Sequence, residues 1–323
     1  MNKLPVFATF RNAVKFVFTN LITIARLTWF PLLVLAAAQY FIQQQIMTMQ
    51  LAAIDSAGPG VSLDDALAAA QGVAPLSLLL TAISILAISI VAVALHRIIL
   101  FNDKKPGTYI LFSFGQAERT YALMALLYAF GVAAIFFVIM LFAVSVLMPG
   151  IGGAGDIVTR MINGTLDPSV IQASAMFGLI MALAAILVIA IVARLMVLPA
   201  AVVATGKLAV AETLALTRGN AWRIIGLWLV TMFAIFAVLM IVATLFLPPI
   251  IKNAWLPVMR DPGFDLNAVL KPTLHWRLDH LLEMTALNYC VTILGTALGV
   301  GLVSYAYKAL KGVPADQPLP GSS

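Results

Sequence analysis

The sequence predicts an all-α integral membrane protein with six transmembrane helices. Three observations point to this class: the composition, six long apolar runs, and the placement of the positive charges. Apolar residues (Ala, Val, Ile, Leu, Met, Phe, Trp, Tyr and Cys) make up 63% of the 323 positions, and charged residues make up only 10%. A soluble domain is usually about half apolar and about a quarter charged. So few charges cannot cover a water-facing surface of this size, and most of the outer surface is therefore expected to face lipid.

Six apolar runs are long enough to cross a bilayer, since roughly 20 helical residues cover about 30 Å of hydrocarbon. The predicted spans are 21–42, 76–95, 121–148, 174–193, 221–247 and 285–307. With their connections they form a single membrane domain over residues 1–311. The tail at 312–323 contains three prolines and is predicted to be disordered.

The Lys and Arg residues are unevenly divided between the two sides of these spans. Fourteen of the 19 fall on the side that holds both termini, and five fall on the other side. Because positively charged connections stay in the cytoplasm, we predict that both termini are cytoplasmic. The charges are spread over several segments and form no concentrated basic patch, which argues against binding of nucleic acid.

The chain also carries signs of an internal repeat. Three residues spaced 95 and 105 positions apart each end a short helix-forming segment and precede a span: Asn20, Gly115 and Asn220. This pattern predicts three repeats, each made of an interfacial helix, a span, an outer connection and a returning span. The alternative is that any multi-span protein with short inner connections places cations at its inner helix ends. Both interpretations stay open from the sequence.

A polar stretch before the last span predicts an amphipathic helix over residues 270–285 on the outer side. His275, Asp279 and Glu283 share one stripe of that helix, because they are spaced four residues apart. One imidazole and two carboxylates are metal-ligand types, but the spacing matches no established metal motif. We therefore predict no metal site and no cofactor, and keep these three residues as a weak candidate. The alternative is a solvated helix face.

Three arginines at the inner ends of spans are candidates for binding a lipid phosphate: Arg97, Arg194 and Arg223. A guanidinium matches a phosphate group bidentately, and basic pockets on the cytoplasmic side of helix bundles bind lipid headgroups. The simpler explanation is that these side chains extend to the membrane surface and set the orientation.

No enzymatic signature is visible in the sequence. It contains no P-loop, no H-E-x-x-H and no G-x-S-x-G motif. The span cores offer mainly hydroxyl groups, including Ser84, Ser89, Thr231 and Thr292. The last span also carries small residues at 295, 299 and 301, which permit close helix packing. We predict no catalytic residue.

One segment carries a family resemblance. The run from Pro199 to Val203 is followed by Gly206 and then by AETLALTRGNAW, from Ala211 to Trp222. This pattern resembles the membrane domain attached to some bacterial glycerophosphodiester phosphodiesterases, and related six-span bacterial membrane proteins of unknown function. No segment of this chain is long enough for the catalytic barrel of those enzymes, so no catalytic residue carries over. The resemblance implies the bacterial inner membrane and a link to lipid or envelope metabolism.

The sequence thus predicts a non-enzymatic, multi-pass protein of the bacterial inner membrane that acts as a lipid-associated scaffold or accessory subunit. The expected partners are membrane lipids and another membrane or soluble enzyme of lipid metabolism. One alternative is a transporter or permease for a lipid-like or uncharged solute, motivated by the internal repeat. Another is a membrane-embedded enzyme that uses His275, Asp279, His280 and Glu283.

Overall fold

The structure is a computed structural model, and it describes residues 2–57, 63–103, 115–147, 168–250 and 266–320. Within these ranges the chain forms α-helices joined by turns and short extended segments, with no strand. The helices are α1 (Val6–Thr19), α2 (Leu21–Ala57), α3 (Leu63–Phe101), α4 (Gln116–Leu147), α5 (Pro168–Leu195), α6 (Leu198–Thr205), α7 (Val210–Thr217), α8 (Ala221–Ile250), α9 (Leu266–Asp279) and α10 (Leu281–Lys311).

The six predicted spans fall on α2, α3, α4, α5, α8 and α10, and each helix extends beyond its span at one end or both. Five helical stretches among the described residues are long and apolar enough to cross a membrane. A sixth is obtained if α7 and the first part of α8, which meet at 93°, count as one bent span. The all-helical class is therefore confirmed for the described residues, with five to six helices that could span a membrane, and the count of six spans stays a prediction.

The long helices pack in a closed series. Helix α2 packs against α3 and α10, α3 against α4, α4 against α5, and α5 against α8. Helix α1 contacts both α8 and α10 and so closes the series. Helix α6 packs against α3, α4 and α10, and its residues Ala200, Ala201 and Val202 are completely buried. An eight-residue apolar helix therefore fills one end of the bundle.

Local sequence explains where α6 begins and ends. Pro199 lies in its first turn, where the missing N–H group costs nothing. Gly206 ends it with φ +69°, a left-handed conformation that favours glycine. Helix α7 follows with Thr213 and Thr217 buried, while Val210 and Leu214 remain exposed. An exposed apolar face on a helix perpendicular to α8 suits the surface of a bilayer.

The N-terminal segment is held between the start of α8 and the end of α10. The side chain of Asn220, only 3% exposed, accepts a hydrogen bond from the Leu4 N–H and donates one to the Asn2 carbonyl, each at 3.0 Å. The Asn2 side-chain amide donates to the Leu310 carbonyl at 3.4 Å. These contacts bring both ends of the chain to one end of the bundle, which we call the terminal face.

Residues 312–320, where the sequence predicts a disordered tail, fold back onto this terminal face in the structure. Gly312, at φ +76°, reverses the chain directly after α10. The Leu319 N–H then donates to the Leu100 carbonyl at 2.8 Å, and the Leu319 side chain packs against the core. Composition alone suggests disorder here, because the few contacts that order the segment come from distant parts of the chain.

The predicted continuous helix over 270–285 is also wrong. Helix α9 ends at Asp279, and α10 begins at Leu281 after a turn at His280. Helix α9 packs against α2, where Leu274 joins a small apolar cluster and Lys271 pairs with Asp55. The break lets α9 cover the extended end of α2 while α10 enters the bundle.

Close packing involves only one of the small residues predicted to provide it. A Cβ atom added at Gly301 would lie 3.2 Å from the Ala13 Cβ of α1, whereas one added at Gly295 or Gly299 would meet no atom within 4 Å. Small residues let helix backbones approach closely. Here they do so where α1 crosses α10.

The internal repeat stays a prediction. The first and third proposed units both contain a short helix, a turn and a long helix, namely α1 with α2 and α7 with α8. Asn20 and Asn220 occupy corresponding positions, because each carbonyl accepts from the residue four positions on, Ile24 and Ile224. Most of the surface segment of the second unit lies outside the described residues.

Candidate functional site

An apolar cavity of about 480 Å³ lies between α3, α4, α5, α6 and α8. Specific ligand pockets usually measure about 300–1,000 Å³. Its walls are formed by Ile88, Tyr121, Met124, Ala125, Tyr128, Val188, Ile189, Val192, Ala193, Leu195, Met196, Leu198, Pro199, Ile225 and Trp228. None of these described lining residues is charged, and only the two tyrosines and the tryptophan carry polar side-chain atoms.

The apolar cavity opens to the outer surface of the bundle. Three of its lining side chains, Tyr128, Ile189 and Trp228, are more than a third exposed. Its base is formed by Leu198 and Pro199, the first residues of α6. The buried helix α6 therefore closes one end of the cavity, while the side between the long helices stays open.

A second cavity, of about 370 Å³, lies between α2, α3 and α4 and is also open to the outer surface. It shares Ile88, Tyr121 and Ala125 with the apolar cavity, so these three side chains separate the two spaces. Its lining also includes polar side chains: Gln39, Thr81, Ser84 and Ser89. We call it the hydroxyl-lined cavity.

The hydroxyl groups of this second cavity are mostly used within their own helix. Thr81, Ser84 and Ser89 each donate to the carbonyl four residues earlier, at 2.8, 2.7 and 2.6 Å. Their oxygens therefore face the cavity as acceptors. Thr231 is buried and donates to the Leu227 carbonyl at 2.8 Å. Neither Thr231 nor Thr292 lines one of these two cavities.

Next to the dividing side chains, His96 is buried at 1% exposure. Its Nδ1 lies 2.7 Å from the Ser304 hydroxyl of α10, and its ring centroid lies 5.9 Å from that of Tyr121. The other ring nitrogen, Nε2, makes no hydrogen bond to a described residue. An unpaired polar atom is costly in a dry interior. His96 thus stiffens the contact between α3 and α10 and leaves one polar atom near the cavities.

The three arginines predicted to bind lipid phosphate lie on three different helices. Arg97 is half-buried on α3, whereas Arg194 and Arg223 are exposed at the end of α5 and the start of α8. The Arg223 guanidinium donates to the Leu4 carbonyl at 3.4 Å and so helps to hold the N-terminal segment. None of the three lines the apolar cavity or the hydroxyl-lined cavity. Their binding of phosphate stays a prediction.

The weak metal candidate gains no support. Among the described residues, no group of three or more His, Cys, Asp or Glu side chains is close enough to hold a metal ion. His275 and Asp279 lie on α9, while Glu283 lies in the first turn of α10, beyond the break at His280. The His280 ring instead stacks on Trp276, with a centroid distance of 4.5 Å.

Sequence reasoning did not find the cavities or the buried polar groups around them. Ser84 and Ser89 are visible in the sequence as hydroxyls within apolar runs, whereas Tyr121 and Ser304 carry no signal beyond their place in such runs. Lys308 is visible only as a cation at the end of a span. The outer surface and a cavity wall have the same apolar composition, and only packing distinguishes them.

Comparison of the chain with protein-family models, with curated proteins and with solved structures gives no significant match.

Proposed function

We propose that this chain is a non-enzymatic, multi-pass membrane protein that takes a lipid acyl chain into its apolar cavity. In this role it serves as a lipid-associated scaffold or accessory subunit for an enzyme of lipid or envelope metabolism. The observation that carries the proposal is a cavity of about 480 Å³ with no charged residue among its described lining residues. An acyl chain gains by leaving water but needs no specific hydrogen bond, so an uncharged apolar cavity suits it.

The opening of the cavity supports the same proposal. The exposed side chains of Tyr128, Ile189 and Trp228 border it on helices that are apolar enough to cross a bilayer or, for α8, form part of a candidate span. A lipid in the bilayer would therefore reach the cavity sideways, without passing through water. Tyrosine and tryptophan are also the side chains that prefer the boundary between hydrocarbon and headgroups.

The proposed location is the inner membrane of a bacterium, with the terminal face in the cytoplasm. The excess of Lys and Arg on the side of the termini supports this orientation. Strongly exposed aromatic side chains at the terminal face, Phe7 and Trp222, support contact with lipid headgroups. The bacterial origin and the enzyme partner rest on the resemblance of residues 199–222.

Filling the cavity is expected to remove the bound chain. The variant Ala193→Phe places a ring in the cavity, because Ala193 lines it and is 6% exposed. We expect about a tenfold loss of crosslinking to a phospholipid with a photoreactive acyl chain, measured by mass spectrometry on purified protein. The crosslinked peptides of the unaltered protein should include α4 and α5.

A matched control is available one turn away on the same helix. Ala190 is exposed on α5, so Ala190→Phe adds the same side chain outside the cavity. If both variants fold and crosslink as strongly as the unaltered protein, the cavity does not hold an acyl chain. Ala125→Phe, which lines both cavities, gives a second test should Ala193→Phe fail to fold.

Transport of a lipid-like or uncharged solute is the second candidate, and the dividing wall favours it. Ile88, Tyr121 and Ala125 separate an apolar cavity from one that carries hydroxyl and amide groups. Rearrangement of these side chains would join the two. Movement of a fluorescent phospholipid between leaflets of proteoliposomes, lost in Ala125→Phe, would favour transport over the scaffold role.

Enzymatic activity at His275, Asp279, His280 and Glu283 is the weakest candidate, because α9 and α10 divide these residues. Turnover of a lipid phosphodiester by purified protein, abolished by one point substitution, would contradict the non-enzymatic proposal.

A further inference from the structure

A third cavity, of about 340 Å³, lies at the terminal face between α1, the end of α10 and the returning tail. We call it the terminal cavity. Its polar lining residues are Lys3, Thr9, Asn12, Tyr305 and Lys308, and none of its described lining residues is acidic. It shares no lining residue with the apolar or hydroxyl-lined cavity. Its chemistry is therefore distinct from the acyl-chain site.

Lys308 gives this cavity a buried positive charge. The residue is 1% exposed, and its ammonium donates to the Ala315 carbonyl at 2.8 Å and to the Ile99 carbonyl at 3.4 Å. An ammonium has three N–H donors, so one has no hydrogen-bond partner among the described residues. The Tyr305 ring lies 6.0 Å away and adds a weak attraction.

The charge of Lys308 is not neutralised within the described part of the chain. Lys311, one turn later, forms an ion pair with Glu212 at 2.6 Å, but Lys308 forms no ion pair with a described residue. Asp316 attracts it only at longer range and is itself exposed. A buried charge is stable only if it is well compensated. An anion in the terminal cavity would supply that compensation.

The remaining walls place further donors and a second cation around the same space. Asn12 contributes a side-chain amide, Thr9 a hydroxyl, and Lys3 an exposed ammonium at the rim. The backbone on both sides of Lys3 is fixed, because Asn220 binds Asn2 and Leu4. Donors on a fixed backbone need little reorganisation to bind an anion.

We propose that the terminal cavity binds a phosphate group, carried either by an anionic lipid headgroup or by a soluble phosphate ester. Phosphate accepts charge-assisted hydrogen bonds from lysine and fits a site with several donors and no carboxylate. The strongly exposed Phe7 side chain follows the lining residue Pro5 and precedes Ala8, and it supports a position of the cavity near the lipid headgroups. This site does not depend on the acyl-chain proposal.

The test measures thermal stability of the full chain in a phosphate-free, uncharged detergent. One arm adds inorganic phosphate, with sodium chloride at equal ionic strength as its reference. The other arm adds dioctanoyl phosphatidylglycerol, with dioctanoylglycerol, a lipid with the same acyl chains and no phosphate, as its reference. A saturable rise in unfolding temperature with inorganic phosphate identifies the ligand as a soluble phosphate ester. A rise with phosphatidylglycerol alone identifies the ligand as a lipid headgroup. A response to both lipids equally would report only the acyl-chain site.

Three variants make the result specific. In Lys3→Gln and Lys308→Gln, we expect the anion concentration that gives half of the maximal shift in unfolding temperature to rise about tenfold or more. This rise corresponds to the loss of one charge-assisted hydrogen bond. Lys15→Gln, an exposed lysine on α1 outside the cavity, should behave as the unaltered protein. Because Lys3 is exposed, its variant is expected to fold even if Lys308→Gln does not.

Three results would overturn the site. The first is the absence of any anion-specific shift in unfolding temperature with either probe. The second is an unchanged shift in Lys3→Gln. The third is a Lys308→Gln variant that is less stable yet keeps the full anion response. In the third case Lys308 serves only to tie α3 to the tail.

Discussion

Replacement of Asn220 by alanine is expected to release the N-terminal segment and to destabilise the protein by about 1–3 kcal/mol. The substitution removes two hydrogen bonds at 3.0 Å and leaves the N–H of Leu4, a residue 1% exposed, without its acceptor. The Asn2 carbonyl loses its donor too, but Asn2 is exposed and water can replace it. The cost therefore comes mainly from the buried Leu4 amide.

Hydrogen exchange gives the direct measurement for this variant. The amide of Leu4 should exchange slowly in the unaltered protein and much faster in Asn220→Ala, together with a lower unfolding temperature. Asn20→Ala is the matched control, since Asn20 occupies the corresponding turn before α2 but bonds only to Phe16 and Thr19 nearby. Equal losses of stability in the two variants would show that the Asn220 contacts with the N-terminal segment are not important.

Replacement of Gly301 by valine is expected to force α1 away from α10. The added Cβ alone would lie 3.2 Å from the Cβ of Ala13 and 3.4 Å from its Cα, and the two methyl groups extend further. Overpacking of a buried contact costs about 1–3 kcal/mol, because backbone as well as side chains must shift. We expect a lower unfolding temperature and faster hydrogen exchange along α1.

The same helix supplies the control for this second prediction. Gly295→Val makes the same change in a position with no atom within 4 Å, so its stability should change by no more than about 0.5 kcal/mol. Adding Ala13→Gly to Gly301→Val should recover part of the lost stability. A Gly301→Val variant as stable as Gly295→Val would mean that α1 does not pack at this point.

Much of the helical architecture could be predicted because hydropathy is a local property. The run from Leu281 to Lys311 reads as a span from its own composition, whatever its neighbours are. The same local reading failed at His280, where α9 and α10 meet at a turn. That break depends on the packing of α9 against α2, and no helix-breaking residue between 275 and 285 predicts it from the sequence.

The candidate site could be predicted only in part. Arginines at helix ends form a pattern that is visible in the sequence, and on that ground Arg97, Arg194 and Arg223 are predicted to bind a lipid phosphate. Lys308 looked like one more cation at a span end, although it is buried and bonded to the carbonyls of Ile99 and Ala315. Whether a cation reaches the surface or is enclosed depends on what covers it, here the returning tail.

Composition and run length predict, without any knowledge of contacts, that most of the outer surface of this protein faces lipid. The sequence also places one predicted span on each of the six long helices, although every helix extends beyond its span at one end or both. The folded structure, in contrast, brings separate segments together: Asn220 with Leu4, Gly301 with Ala13, and Lys308 with the tail. It likewise decided where the helices leave cavities. The free energy of transfer from water to lipid is a sum of separate contributions from each residue, so it can be estimated from the sequence. Cavity shape and hydrogen-bond partners depend on contacts between segments far apart in the chain, so they cannot.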